Sequence, residues 1–173
     1  MTRKKALLHF WKKENLPSKN TFILTPTKFD IAYLRMAEEW AKLSYCKRRQ
    51  VGALIVKDRM IISDGYNGTP SGFENCCEDE EGRTHWYVLH AEANAILKLA
   101  GSTQSANGAT LYLTLSPCKE CSKLVLQAGI KKVVYLDDYS DNAGITFLQN
   151  HGIEVLKISI PKETQNTQND DLG

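Results

Sequence analysis

From residue 88 onward the chain alternates short apolar runs with stretches of helix formers, and no other feature narrows its possible folds as much. His90 to Leu99 (HAEANAILKL) is rich in helix formers, Thr110 to Leu115 reads as a strand, and Lys119 to Ala128 reads as a helix stopped by Gly129. Lys131 to Leu136 is a strand, Asn142 to Asn150 a helix ending near Gly152, and Ile153 to Ile158 a last strand. Strands separated by helices predict an α/β layered fold with at least partly parallel strands. Upstream, Ile31, Leu34, Ala37, Ala41 and Ser44 recur at helical spacing, so Phe29 to Tyr45 is expected to be an amphipathic helix started by Thr27 or Asp30. Val51 to Val56 and Met60 to Ser63 read as a β-hairpin about Lys57-Asp58-Arg59. Gly65 to Gly72 (GYNGTPSG) carries three Gly and one Pro in eight residues and is expected to be a shaped loop.

A chain of 173 residues closes one hydrophobic core efficiently. The expected organisation is a basic extension over 1–26, one domain over 27–160, and a disordered polar tail over 161–173. No apolar run approaches the roughly 20 residues that span a bilayer, so no membrane partner is expected. The apolar patch Ala6 to Trp11 contains His9 and ends at Lys12-Lys13, too short and wet for a secretory segment; a cytoplasmic location follows as the expectation. Residues 1–20 hold six Lys or Arg against one Glu, whereas the body of the chain is nearly neutral. A neutral body lacks the basic face of a nucleic-acid reader, so no nucleic-acid partner is expected.

The chemistry concentrates at two helix mouths. His90-Ala91-Glu92 opens one, and Pro117-Cys118-Lys119-Glu120-Cys121 opens the other, with 27 residues between His90 and Cys118. That interval accommodates a helix, a loop and a strand. Cysteines at i and i+3 share one face of a helical turn, so both sulfurs can reach one ion with His90 as a third ligand. Three protein ligands leave the fourth tetrahedral position for water, the layout of a catalytic zinc site. Glu92, about 200° around the helix from His90, is not expected to be a ligand. It can instead sit beside the ion and move protons. A redox CxxC, a structural zinc and a helix-face carboxylate are the bland alternatives. The first lacks a Trp-Cys-Gly context, and the second lacks a fourth ligand close in sequence.

The HAE and SPCxxC segments resemble the zinc-dependent cytidine deaminase superfamily. VGALIV at 51–56, GYNGTPSG at 65–72, HAEANAI at 90–96 and QAGIKKVVY at 127–135 resemble the deoxycytidylate (dCMP) deaminases of bacteria and phages in particular. The resemblance implies a three-layer αβα fold with a five-stranded mixed sheet. It also implies hydrolytic deamination of dCMP to dUMP and ammonia, which feeds thymidylate synthesis. It assigns His90, Cys118 and Cys121 to the zinc and Glu92 to the proton shuttle. It places the Ala91 N–H and the Ser116 carbonyl at the base edge, Asn67 at the nucleotide, and Tyr139 over the base. Deamination of tRNA adenosine, a nucleoside or a free base shares the same motifs, and a catalytically silent zinc-binding regulator is a further alternative.

Lys47, Arg48 and Arg49 are candidates for a substrate phosphate, together with amides of the 65–72 loop. The resemblance also implies a homo-oligomer, with a hexamer favoured, and control by dCTP and dTTP. The same glycine loop, with Tyr66, Asn67 and Gly68, is the candidate effector segment. Cys46, Cys76 and His85, with Cys77 as a further donor, are candidates for a second, structural zinc. Reduced buried thiols and a surface histidine are the alternative for those four.

Overall fold

The computed structural model describes residues 25–160, so the extension and the tail expected at the two ends lie almost wholly outside the described residues. Helix α1 (Lys28–Ala41) starts in a capping box. The Thr27 hydroxyl accepts the Asp30 N–H at 3.1 Å, and the Asp30 carboxylate accepts the Thr27 N–H at 2.8 Å. The helix ends before the expected Tyr45. Ser44 instead donates its hydroxyl to the Asn67 carbonyl at 2.7 Å, and its own carbonyl accepts the Gln50 amide at 2.6 Å.

Strands β1 (Gly52–Lys57) and β2 (Met60–Tyr66) form the expected hairpin. Its two turn residues, Asp58 and Arg59, have φ of 51° and 64°, the left-handed geometry that suits a tight hairpin. Strand β2 continues through Gly65 and Tyr66, which corrects the expectation that the irregular loop begins at Gly65. After the loop come α2 (Ala91–Lys98), a 3-10 turn at Leu99–Gly101, β3 (Thr110–Leu115) and α3 (Lys119–Gln127). The chain then forms β4 (Lys132–Asp137), α4 (Ala143–Asn150) and β5 (Glu154–Lys157).

The five strands make one mixed sheet in the order β2-β1-β3-β4-β5. β1 runs antiparallel to β2 and β3, while β3, β4 and β5 run parallel. Side chains alternate between the two faces. Leu54, Val56, Tyr112 and Val134 pack with Leu34 and Ala37 of α1 on one face. Ala53, Ile55, Leu111, Leu113, Val133 and Tyr135 pack with Ala95, Val125, Ile145 and Leu148 of α2, α3 and α4 on the other. The result is the three-layer αβα arrangement. Two glycines of the sheet let helices approach its backbone closely. A Cβ on Gly52 would stand 2.0 Å from the Ala37 carbonyl oxygen of α1, and one on Gly65 would stand 2.4 Å from that of Ala91 in α2. Among the described residues no helix is long and apolar enough to cross a membrane.

Candidate active site

Helices α2 and α3 lie on the same side of the sheet, and their N-termini supply the metal-ligating set. His90 occupies the N-cap position of α2 and Cys118 that of α3, each in extended backbone and neither using its side chain as a cap. The side chains turn off the helix ends toward each other. His90 Nδ1 lies 3.5 Å from Cys118 Sγ and 3.4 Å from Cys121 Sγ. Each residue offers one ligand atom, and all three lie within 4.8 Å of one another. The edges of a zinc tetrahedron with two sulfur ligands and one nitrogen ligand are roughly 3.5 Å, from the usual Zn–S and Zn–N lengths, so the donor set fits that ion.

The charges of the site follow from its burial. A hydrogen bond from Cys121, outweighing the cost of burial and reinforced by His90, holds the Cys118 thiol down to about 3. The same hydrogen bond to Cys118, with burial, pushes Cys121 up. The bond to Cys118 raises His90 against the opposing effect of burial, with help from the negative charges of Glu92 and Cys118. Glu92, in the first turn of α2 and 4% exposed, is pushed up to about 7 by burial. Its own backbone amide, the His90 charge and the Cys121 thiol offset only part of that. A carboxyl so placed exchanges protons near neutrality.

His90, Glu92 and Cys118 open onto a cavity of about 470 Å³. Arg48, Arg49, Asn67, Ala91, Ser116 and Tyr139 all line it, as do His90, Glu92 and Cys118. Ser116 ties the wall together: its N–H donates to the Asp137 carbonyl at 2.8 Å, and its Oγ accepts the Tyr139 N–H at 2.7 Å. Asn67 braces the opposite wall, accepting the Val51 N–H at 2.7 Å and donating to the Arg49 carbonyl at 2.8 Å.

Glu78, Thr84 and Val88 line the cavity as well and were not singled out from sequence. Glu78 lies in the acidic run Glu78-Asp79-Glu80-Glu81, which looks like a solvated face. The fold buries it to 9% exposure, where one carboxylate oxygen accepts the N–H groups of Lys47 and Arg48 at 3.0 and 3.1 Å.

Tyr66 and Gly68 are not among the cavity-lining residues. The Tyr66 carbonyl accepts the Asn94 side-chain amide at 2.7 Å, and Gly68 exchanges backbone hydrogen bonds with Leu89 at 3.0 and 2.8 Å. The Asn67 N–H is also committed, to the Val51 carbonyl at 3.1 Å. The Asn67 and Gly68 amides are thus bonded within the fold.

Lys47 belongs with Arg48 to a second cavity, of about 440 Å³, beside Cys76, Cys77 and Glu78. Cys46 is joined to Cys77 in a disulfide, Cα to Cα 5.1 Å. Cys77 faces inward while the adjacent Cys76 is exposed, its Sγ donating to the Glu78 carbonyl at 3.2 Å. The His85 ring stacks on Tyr87, centroids 4.9 Å apart.

Residues 27–137 match the family described as the cytidine and deoxycytidylate deaminase zinc-binding region. Deoxycytidylate deaminase of Enterobacteria phage T4 is 37% identical over 83% of this chain and 93% of its own length. Deoxycytidylate deaminase of Schizosaccharomyces pombe is also 37% identical over 90% of this chain, which spans about half that relative, 52% of its length. The crystal structure of dCMP deaminase from cyanophage S-TIM5, in complex with dCMP and dUMP, is 48% identical. It superposes with a TM-score of 0.75 over 78% of this chain and all of its own.

Proposed function

The chain belongs to the cytidine and deoxycytidylate deaminase zinc-binding family, and from that membership we propose that it hydrolyses dCMP to dUMP and ammonia. One observation carries the reading: His90, Cys118 and Cys121 converge from two helix N-termini beside the buried carboxyl of Glu92, in a cavity that two guanidinium groups also line. A bound zinc at those three ligands supplies the Lewis acidity that makes water nucleophilic near neutral pH. The remaining chemistry belongs to the chain. Glu92 takes a proton from water as the water oxygen adds to C4 of the ring and delivers it to N3, which receives the electron pair of the C4=N3 π bond. It then carries the proton of the new C4 hydroxyl to the exocyclic amine, which leaves as ammonia when the C4–N bond breaks and the C4 carbonyl forms. Tyr139 and the Ala91 and Ser116 backbone form the walls that orient the base. Arg48 and Arg49 supply the charge that recognises the 5′-phosphate.

The deciding experiment follows deamination by ultraviolet absorbance across dCMP, CMP, dCTP, deoxycytidine and a tRNA stem-loop, with zinc measured on the same sample. Turnover confined to dCMP, with one catalytic zinc per chain, is the expected result. Equal turnover of deoxycytidine removes the phosphate reading, and turnover of the stem-loop alone removes the nucleotide reading.

Regulation extends the same proposal. Hexameric assembly, activation by dCTP and inhibition by dTTP rest on the family resemblance, and a cytoplasmic location on the short, wet N-terminal apolar patch. Saturation curves with and without each triphosphate, and the mass in solution, test the first two; hyperbolic curves from a monomer overturn them. A second zinc belongs to the reduced protein, in which Cys46 and Cys77, with Cys76 and His85 on the same loop, offer thiolate and imidazole donors.

A further inference from the structure

Arg49 does not face the cavity alone. Its Nη2 stands 2.9 Å from Oδ2 of Asp137 at the end of β4. Both backbones are pinned, Arg49 through its carbonyl to the Asn67 side chain and Asp137 through its carbonyl to the Ser116 N–H. The ion pair therefore links the segment before β1 to the end of β4. The neighbouring acids of the same loop have cations of their own, Lys157 for Asp138 and Lys119 for Asp141. Arg48, the other guanidinium of the cavity wall, donates to a neutral partner, the Thr84 hydroxyl at 3.3 Å.

We propose that Asp137 is a competing counter-ion: it contests Arg49 with the nucleotide phosphate and so lowers affinity for the monophosphate, substrate and product alike. The proposal rests on the reading of Arg49 as a phosphate cation. A phosphate dianion outcompetes a carboxylate monoanion for a guanidinium, but the exchange gives up whatever the resident pair contributes. The Arg49 and Asp137 side chains are 51% and 67% exposed, so solvent screens the pair and its contribution is small. The effect acts on substrate and product equally. It trades ground-state affinity for product release without touching the transition state selectively.

The test is calorimetric titration of the zinc-loaded enzyme with dUMP and, separately, with deoxyuridine. Asp137→Asn should tighten dUMP by about two- to fivefold and leave deoxyuridine unchanged. Asp137→Glu, which keeps the charge, should return dUMP affinity toward the parent value. Arg49→Met should weaken dUMP, and in the double variant the gain from Asp137→Asn should vanish. If Arg49→Met weakens dUMP but Asp137→Asn leaves it unchanged or weaker, the counter-ion role is wrong. A gain that persists in the double variant overturns it too, since the effect then bypasses Arg49. If Arg49→Met leaves the ratio of dUMP to deoxyuridine affinity unchanged, the phosphate reading itself has failed.

Discussion

The α-carbon of Gly65 in β2 lies so close to the Ala91 carbonyl of α2 that an added Cβ would stand 2.4 Å from that oxygen and 2.7 Å from the Ala95 nitrogen. Gly65→Ala must therefore push α2 away, and with it His90 and Glu92. The expected outcome is a loss of about 1–3 kcal/mol in stability together with reduced turnover. Gly68→Ala meets nothing within 4 Å and is expected to stay close to the parent. Melting temperature and kcat measured on both variants check the contrast.

Glu92→Ala should keep its zinc and lose turnover by at least ~10²-fold, in the range general acid–base catalysis supplies. Zinc content by atomic absorption separates this from loss of the ion. Near-parental turnover in a zinc-loaded Glu92→Ala enzyme ends the proton-shuttle role.

Zinc counting also resolves the cysteines. Protein prepared without chelators should carry one zinc per chain while Cys46 and Cys77 remain joined, and a second after reduction. Cys118→Ala and Cys121→Ala should each abolish the catalytic equivalent along with activity. A reduced sample with one zinc per chain removes the structural site.

Glu78 positions the cationic segment by accepting the Lys47 and Arg48 amides. Glu78→Ala strands two N–H donors and should cost about 1–3 kcal/mol of stability. It should raise KM for dCMP more than for deoxycytidine, because the cations lose their fixed backbone. Equal effects on both substrates would assign Glu78 a purely structural part.

Asp30 couples folding to acidity. Burial alone would raise its carboxyl, but hydrogen bonds from Thr27 and Tyr112 and the charge of Lys132 outweigh burial and hold it below the ordinary 3.8. A depressed folded value adds stability that is complete above the unfolded value and is lost as pH falls through the folded one. Stability should thus decline below about pH 4. Asp30→Asn should be less stable than the parent at pH 7, with the gap narrowing in acid. Denaturant midpoints across pH measure it.

Much of this was legible beforehand because it is written in local pattern. The alternation after residue 88 predicts the layers, and the His90, Cys118 and Cys121 spacing predicts which groups meet, since each sits at a helix start. Glu78 and Asp137 were illegible for the opposite reason. Each looks like one of several solvated acids, and only long-range folding decides which acid meets the Lys47–Arg48 amides or the Arg49 guanidinium. Gly65 misled in a related way: a glycine kept for close helix packing has the same letter as one kept for a turn.

The sheet also partitions the freedom of the sequence to change. Leu34, Ala37, Leu54, Val56, Tyr112 and Val134 fill the α1 face, and none of them lines the catalytic cavity. Drift or deliberate repacking on that face can raise or lower the melting temperature while leaving kcat and substrate choice in place. The α2–α3 face lacks that latitude, because its helices carry both core contacts and the reacting groups. Adaptation of such a chain to a higher or lower working temperature has its easiest route through the side of the sheet where no chemistry happens.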